Sequence, residues 1–202
     1  MAIKRKRIGI LGGTFNPIHV GHLLIAQDAL EQGELDCVRF IPTALPPHKH
    51  ADHLATAAQR LAMVRLAIRG DDRFALDDLE IKRGGKSYSV DTLTELRRRE
   101  PEAQFYFIIG GDSLAELHTW KNVARLVELC SFIVVTRPGF KSVANMKLGA
   151  AVRRKLRLQF VAGHLCEVAS RDIRSRVARG QSVRYLVPEN VFRYIQLRKL
   201  YR

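Results

Sequence analysis

One segment near the amino terminus constrains this chain more than any other. It reads LGGTFNPIHVGH and occupies residues 11–22. A short apolar run, residues 8–11, precedes it and predicts a buried strand, whereas the leucines and alanines of residues 23–30 are typical of a helix packed on a sheet. Gly12 and Gly13 allow a sharp turn and a close approach of the main chain to a ligand. The order of strand, glycine turn and helix predicts the front end of a nucleotide-binding βα unit.

The turn in this segment has the chemistry of an anion site. A helix that begins after it directs free N–H groups and the positive end of its dipole at whatever lies above the strand. Two histidines, His19 and His22, add side-chain donors at the same place. Neither G-x-G-x-x-G nor G-x-x-x-x-G-K-S/T occurs in the chain, which excludes the dinucleotide fingerprint and the P-loop. We expect the turn to bind phosphate.

Length and residue composition limit the protein class. With 202 residues, the chain is long enough for one sizeable α/β domain, and we expect a single domain over residues 1–202. No run of eighteen apolar residues exists, so no membrane span is expected. The three cysteines are widely spaced, which predicts neither a disulfide framework nor a zinc site and favours a reducing, cytoplasmic location.

The chain is strongly basic, with 34 Lys and Arg against 20 Asp and Glu and a formal charge of +14. Such an excess fits either a nucleic-acid partner or small phosphorylated ligands steered towards a positive cleft. The basic residues are spread over the chain and are not interleaved with aromatic residues, as they are in single-strand binding surfaces. We therefore expect phosphorylated small molecules rather than nucleic acid.

The order of predicted elements favours one fold class. Strands at residues 37–42, 105–109 and 131–136 alternate with helical segments such as 56–69, for which Thr56 is a suitable cap. This alternation predicts a Rossmann-like open parallel sheet with helices on both faces, followed by a small C-terminal helical part. Residues 74–83 are predicted to be extended, and short strands are predicted at 160–161 and 165–168.

Further candidate residues follow the predicted strands, where ligands bind in open α/β sheets. His48 and Lys49 follow a Pro-Pro pair after the second strand, and a second glycine turn, with Gly110 and Asp112, follows the strand at 105–109. Ser170 is predicted to cap a helix whose free N–H groups and nearby arginines form a further anion site.

The segment at 14–22 resembles the signature S/T-F-D/N-P-x-H-x-G-H of the H-x-G-H nucleotidyltransferase superfamily, and it matches throughout. Over nearly its whole length the chain also resembles the bacterial nicotinate-nucleotide adenylyltransferases. The supporting segments are PPHK at 46–49, SYS at 87–89, IIGGDSL at 108–114 with Trp120, RPG at 137–139, and Ser170 with Ile173 and Arg174.

The resemblance implies transfer of AMP from ATP to nicotinate mononucleotide, giving deamido-NAD and pyrophosphate in NAD biosynthesis. It implies that Mg²⁺ arrives with the ATP phosphates and needs no protein metal site. The catalytic residues it implies are His19 and His22. The ATP-binding residues it implies are Gly12, Gly13, Thr14, Phe15, Gly110, Asp112, Arg137, Ser170 and Arg174. The mononucleotide-binding residues it implies are His48, Lys49, Ser89 and Trp120.

Two positions depart from the family pattern. The last family motif usually reads I-S-S-T-x-I-R, and this chain has Ala169 and Arg171 in place of the first serine and the threonine. Lys121 follows Trp120 where some relatives carry an aromatic residue. Three alternatives stay open at this stage: another acceptor, either nicotinamide mononucleotide or phosphopantetheine; a nucleic-acid-binding module; and an inactive scaffold.

Overall fold

The computed structural model describes residues 5–45, 54–136 and 146–202. Six strands form one parallel sheet in the order β3-β2-β1-β4-β5-β6. The strands are β1 (Arg7–Gly13), β2 (Cys37–Pro42), β3 (Phe74–Leu76), β4 (Gln104–Gly110), β5 (Ser131–Thr136) and β6 (Leu158–Ala162). The predicted Rossmann-like open parallel sheet is confirmed, with β1 and β4 as its central pair.

Helices connect the strands and cover both faces of the sheet. In the described ranges they are α1 (Val20–Gln32), α2 (Ala57–Ala67), α3 (Leu79–Arg83), α4 (Ser89–Arg99), α5 (Gly111–Ala115), α6 (Val123–Leu129), α7 (Ala150–Lys155), α8 (Ser170–Ala178) and α9 (Glu189–Leu197). A single 3-10 turn, Leu117–Thr119, lies between α5 and α6. Helices α8 and α9 form the predicted C-terminal helical part.

Alternation along the strands produces two apolar cores, one on each face. In β4, Phe105 and Phe107 face the layer that contains α4 and α6, whereas Ile108 faces the layer that contains α1, α2, α8 and α9. Strand β5 repeats the pattern, because Phe132 belongs to the first of these cores and Ile133 to the second. Parallel strands with both faces buried need such uninterrupted apolar runs, which the sequence of β4 and β5 provides.

Close packing explains a glycine in the middle of β1. A Cβ atom built at Gly9 would lie 2.7 Å from Leu35 Cδ1 and 2.9 Å from Ile108 Cδ1. Leu35 precedes β2 and Ile108 belongs to β4, so their side chains close over the central strand at this point. Gly9 therefore lets the layer over β1 pack directly on the main chain.

Two local predictions were wrong. Residues 74–83 were expected to be extended, but only the three residues of β3 are, and α3 follows. The helix begins after Asp77, whose Oδ1 accepts the N–H of Leu79 at 3.0 Å, and it ends at Gly84, which has a φ of 70°. The alternating apolar residues of this stretch fit a strand or a helix equally well, and these local contacts decide between them.

The second wrong prediction concerns residues 165–168, which form no strand. Strand β6 instead covers the predicted position 160–161, and the chain then enters a loop that is fixed to α1. The buried carboxylate of Asp28 accepts the N–H of His164 at 2.9 Å and lies 2.6 Å from the Nδ1 of the same residue. This pairing sets the path of the chain towards α8.

One side chain of α1 covers part of the β6 edge of the sheet. Gln32 donates from Nε2 to the carbonyl oxygen of Ala162 at 2.7 Å, and its Oε1 accepts the N–H of Ala162 at 2.9 Å. The amide of Gln32 thereby takes up the hydrogen-bonding groups that a further strand would use.

Among the described residues, no helix is both long enough and apolar enough to cross a bilayer.

We expect Gly9→Ala to lower the free energy of unfolding by about 1–3 kcal/mol, because the added methyl group must displace Leu35 and Ile108 in a packed core. Urea unfolding followed by circular dichroism measures the change. Gly149→Ala is the matched control, since a Cβ there meets no atom within 4 Å and the loss should be smaller. Equal losses for both variants would contradict the packing explanation.

Candidate active site

The ends of four neighbouring strands meet at one edge of the sheet. Gly13 of β1 is paired with Pro42 of β2, and Gly110 of β4 is paired with Val135 of β5. The parallel pairing of β1 with β4 brings their carboxyl ends to the same edge. The two glycine turns are therefore neighbours, at the position where open α/β sheets bind ligands.

The two histidines form a stacked unit at the start of α1. His19 is the N-cap residue, with extended φ and ψ of −145° and 172°, and its N–H donates to the Nδ1 of His22 at 3.2 Å. The ring centroids of His19 and His22 lie 3.8 Å apart, and the ring of Phe15 meets His22 edge-on at 5.1 Å. The turn thus holds both imidazoles in a fixed arrangement at the N-terminus of α1.

His19 is a neutral imidazole at pH 7. Its side chain is deeply buried, with 6% of the residue exposed, and burial lowers its pKa to about 4. Its Nδ1 has no hydrogen-bond partner among the residues that the structure describes. A Cβ at Gly21 would lie 3.1 Å from this Nδ1 and 3.2 Å from the Sγ of Cys166. The glycine of the H-x-G-H turn therefore leaves room for the His19 ring and for the loop before α8.

The structure brings Ser170 and Arg174 to the same turn. Ser170 Oγ donates to the carbonyl oxygen of Pro17 at 2.9 Å, and Arg174 Nη1 donates to that of Asn16 at 2.8 Å. The N-cap of α8 is Ala169 and not Ser170, so the predicted serine cap is wrong: the hydroxyl bonds the turn instead. The N-terminus of α8 carries no side-chain cap, and Arg174 retains further N–H donors on its guanidinium.

Asn16 ties the turn to two other parts of the chain. Its Oδ1 accepts the N–H of Ala55 at 3.1 Å and the hydroxyl of Tyr201 at 2.8 Å. Ala55 precedes α2, and Tyr201 follows α9. The position of the turn therefore depends on residues that are 39 and 185 positions away in the sequence.

The second glycine turn is open to solvent. Gly110 is the N-cap of α5, and a Cβ there would meet no atom within 4 Å. Asp112 lies in the first turn of α5 and is exposed. Its carboxylate is therefore accessible at the same sheet edge as the H-x-G-H turn.

Ser89 and Trp120 belong to segments that contact one another on the other helix layer. Ser89 is the first residue of α4, and the Trp120 ring packs edge-on against Phe107 with centroids 5.6 Å apart. Lys121 joins the two segments, because its Nζ lies 4.3 Å from the centre of the Tyr88 ring and 3.0 Å from Asp91 Oδ2.

The approach to α4 is also joined to the end of β2. The N–H of Ala44 donates to the hydroxyl of Ser87 at 3.0 Å, and the N–H of Ser87 donates to the carbonyl oxygen of Leu45 at 3.2 Å. Three predicted site residues, His48, Lys49 and Arg137, lie outside the described residues. In the described part of the chain, no group of three His, Cys, Asp or Glu side chains could hold a metal ion.

Sequence reasoning missed several residues that shape the site. Arg60, Asp28 and Tyr201 fix the loops around it through hydrogen bonds to residues distant in sequence. Asn16 was identified only as part of the S/T-F-D/N-P-x-H-x-G-H signature, without a role of its own.

The fold and the site define the class of the protein. A family model described as cytidylyltransferase-like matches residues 10–176 and so includes both glycine turns and the start of α8. This match and the H-x-G-H turn at the sheet edge make the chain a nucleotidyltransferase.

Curated relatives identify the family within the nucleotidyltransferases. A protein of Exiguobacterium sibiricum named "Probable nicotinate-nucleotide adenylyltransferase" is 46% identical over 96% of this chain and 98% of its own length. A protein of the same name from Opitutus terrae is 42% identical, with 97% and 98% covered. The chain belongs to the nicotinate-nucleotide adenylyltransferase family.

Solved structures support the fold. The nicotinic acid mononucleotide adenylyltransferase of Plasmodium falciparum in complex with NaAD aligns with a TM-score of 0.78, 20% identity and 98% of each chain covered. The same enzyme in complex with APC aligns with a TM-score of 0.76 and 19% identity, again with 98% of each chain covered.

The buried neutral imidazole of His19 predicts a pH-dependent stability. In the unfolded chain its pKa is about 6.5, so between pH 6.5 and 4 the unfolded state binds a proton that the folded state does not. The free energy of unfolding should therefore decrease as the pH is lowered across this window. His19 should contribute at most about 3 kcal/mol to this decrease. Urea unfolding at pH 7.5 and 4.5 measures it.

His19→Asn removes the titrating group and should make the loss of stability between these two pH values smaller than in the wild type. The same loss in both proteins would show that His19 does not control the acid response.

Proposed function

We propose that the chain transfers the adenylyl group of ATP to the 5′-phosphate of nicotinate mononucleotide. A phosphate oxygen of the mononucleotide attacks the α-phosphorus of ATP, the bond to the β-phosphate oxygen breaks, and pyrophosphate leaves as deamido-NAD forms. The observation that carries this proposal is the H-x-G-H turn at the sheet edge in a chain 46% identical to a curated member of the family.

This reaction needs alignment and charge stabilisation more than a protein nucleophile. The attacking group is already an anion, so the protein must hold two polyanions in line and stabilise the charge that spreads over the α-phosphoryl group. The stacked His19 and His22, with the main-chain N–H groups of the turn from Gly12 to Phe15, supply preorganised donors. Since the pKa of His19 is about 4, its imidazole contributes as a neutral donor and not as a cation at pH 7.

The triphosphate is assigned to this turn and the N-terminus of α8. Ser170 and Arg174 already contact the turn, and the uncapped N-terminus of α8 adds main-chain donors. We assign the β- and γ-phosphates to this place, with Mg²⁺ arriving on ATP as part of the substrate. Gly110 and Asp112 are assigned to binding of the adenosine, where the carboxylate of Asp112 accepts hydrogen bonds from the ribose hydroxyls. Arg137 is assigned to ATP binding.

The acceptor is assigned to the opposite helix layer. Ser89 and Trp120, whose segments Lys121 joins, are proposed to border the pyridine ring, where main-chain N–H groups bind its carboxylate. His48 and Lys49 are proposed to bind the mononucleotide phosphate. We also propose a cytoplasmic location, in keeping with the free thiols of Cys37, Cys130 and Cys166.

The proposal is tested by pyrophosphate release with Mg²⁺-ATP and either nicotinate or nicotinamide mononucleotide. We expect turnover with the acid and a strong preference for it, because only the acid offers a carboxylate to the donors near Ser89. Equal use of both acceptors would contradict the acid specificity. Turnover with neither would overturn the proposed reaction.

We expect His22→Ala to lower kcat by about 10²–10³, the usual cost of removing one preorganised donor to a developing charge. The same assay measures it, and circular dichroism with a urea midpoint checks that the variant is folded. A folded His22→Ala protein with near wild-type turnover would contradict the role assigned to His22.

A further inference from the structure

The side chain of Arg60 is a buried cation. Only 1% of the residue is exposed, although Arg60 lies in the first half of α2. No carboxylate of the described residues forms an ion pair with it. Burial lowers the pKa of Arg60, but a guanidinium stays protonated in proteins. A charge held in this way is costly unless something offsets it.

Main-chain carbonyl groups take up the donors of Arg60. Its Nε donates to Ala55 at 3.1 Å, and its Nη2 donates to Ala44 at 2.9 Å. Its Nη1 donates both to Thr14 at 2.9 Å and to Thr43 at 2.7 Å. These four bonds use four of the five N–H donors of the guanidinium, and no carboxylate of the described residues offsets its charge.

Three of the four carbonyl groups belong to the loops that follow β1 and β2. Thr14 lies in the turn after β1, to which the ATP phosphates are assigned. Thr43 and Ala44 follow β2 and begin the segment that leads to the proposed phosphate ligands of the mononucleotide. Because a guanidinium is planar and rigid, one group fixes the distance between these loops, which a flexible ammonium does not do.

The charge of Arg60 also acts on the phosphate turn electrically. A cation bound to the carbonyl oxygen of Thr14 polarises the peptide group between Thr14 and Phe15, which strengthens its N–H as a donor. This N–H belongs to the turn proposed to hold ATP. Under the proposed function, the anions that bind at this edge are substrate phosphates, and their charge offsets part of that of the guanidinium.

We propose that Arg60 is a positioning residue for adenylyl transfer. Its guanidinium sets the phosphate turn against the loop on the acceptor side, so that the attacking phosphate and the α-phosphorus are aligned, and bound substrate phosphates balance its charge. The inference rests on the proposed function, and it adds a residue that touches neither substrate.

The experiment compares Arg60→Lys and Arg60→Met with the same substitutions at Arg97. Arg97 is a matched control because it also donates to two main-chain carbonyl groups, those of Leu129 and Ala103 at 2.8 and 2.7 Å, but from α4. The measurements are kcat and KM for both substrates, the urea midpoint, and the rise in melting temperature caused by a non-hydrolysable ATP analogue.

Substitutions at both arginines should lower the urea midpoint, since both arginines hold main-chain groups. Only the Arg60 variants should lower kcat at saturating substrates, by about tenfold or more, because misplacement of reacting groups by about 1 Å costs up to 10² in rate. The rise in melting temperature with the ATP analogue should be retained in Arg60→Lys and reduced in Arg60→Met, since only lysine keeps the charge.

Folded Arg60 variants with a kcat within about twofold of the wild type, and with the wild-type response to the analogue, would overturn the positioning role. If Arg60→Met does not fold, Arg60→Lys decides through its kcat. If the wild-type protein itself fails to use nicotinate mononucleotide, the proposed function fails, and the response to the ATP analogue still tests the charge of Arg60.

Discussion

The H-x-G-H turn is held in place from outside, and the rest of the site depends on that support. Asn16 receives hydrogen bonds from Ala55, Arg174 and Tyr201, which are 39, 158 and 185 residues away in the sequence. These bonds fix the position of the turn and, with it, the imidazoles of His19 and His22. The C-terminal helices are therefore part of the site, because they supply the side chains that fix it.

The features predicted correctly from the sequence are those that local residues determine. Strand β2 was predicted at residues 37–42 because its apolar run is short and bounded. Thr56 was predicted as a cap because threonine is a favoured N-cap residue, and its hydroxyl does accept the N–H of Gln59 within its own helix. The prediction for residues 74–83 was wrong because their apolar pattern fits both a strand and a helix, and the carboxylate of Asp77 selects the helix. Sequence periodicity does not contain that choice.

The residues of the site fall into the same two groups, those that the local sequence determines and those that depend on packing between distant segments. His19, His22 and the glycine turns were found because the motif lies within twelve consecutive residues, and the parallel pairing of β1 with β4 then brought Gly110 beside them. The sequence does not show that the Ser170 hydroxyl bonds Pro17, nor that Arg60 is buried, because both depend on packing between distant segments. In a helix sequence, an arginine usually indicates a solvated surface.

The hydrogen bonds between Gln32 and Ala162 affect how copies of this protein can associate through the edge of the sheet. An open parallel sheet ends in strands whose outward main-chain groups are a template for another extended chain, and such edges lead to fibrous association. Here the side-chain amide of Gln32 makes the two hydrogen bonds with Ala162 that a neighbouring strand would make. At the other edge of the sheet, β3 has only three residues. The outward main-chain groups of Ala162 are thereby occupied within the molecule, which disfavours strand-by-strand association at this end of β6.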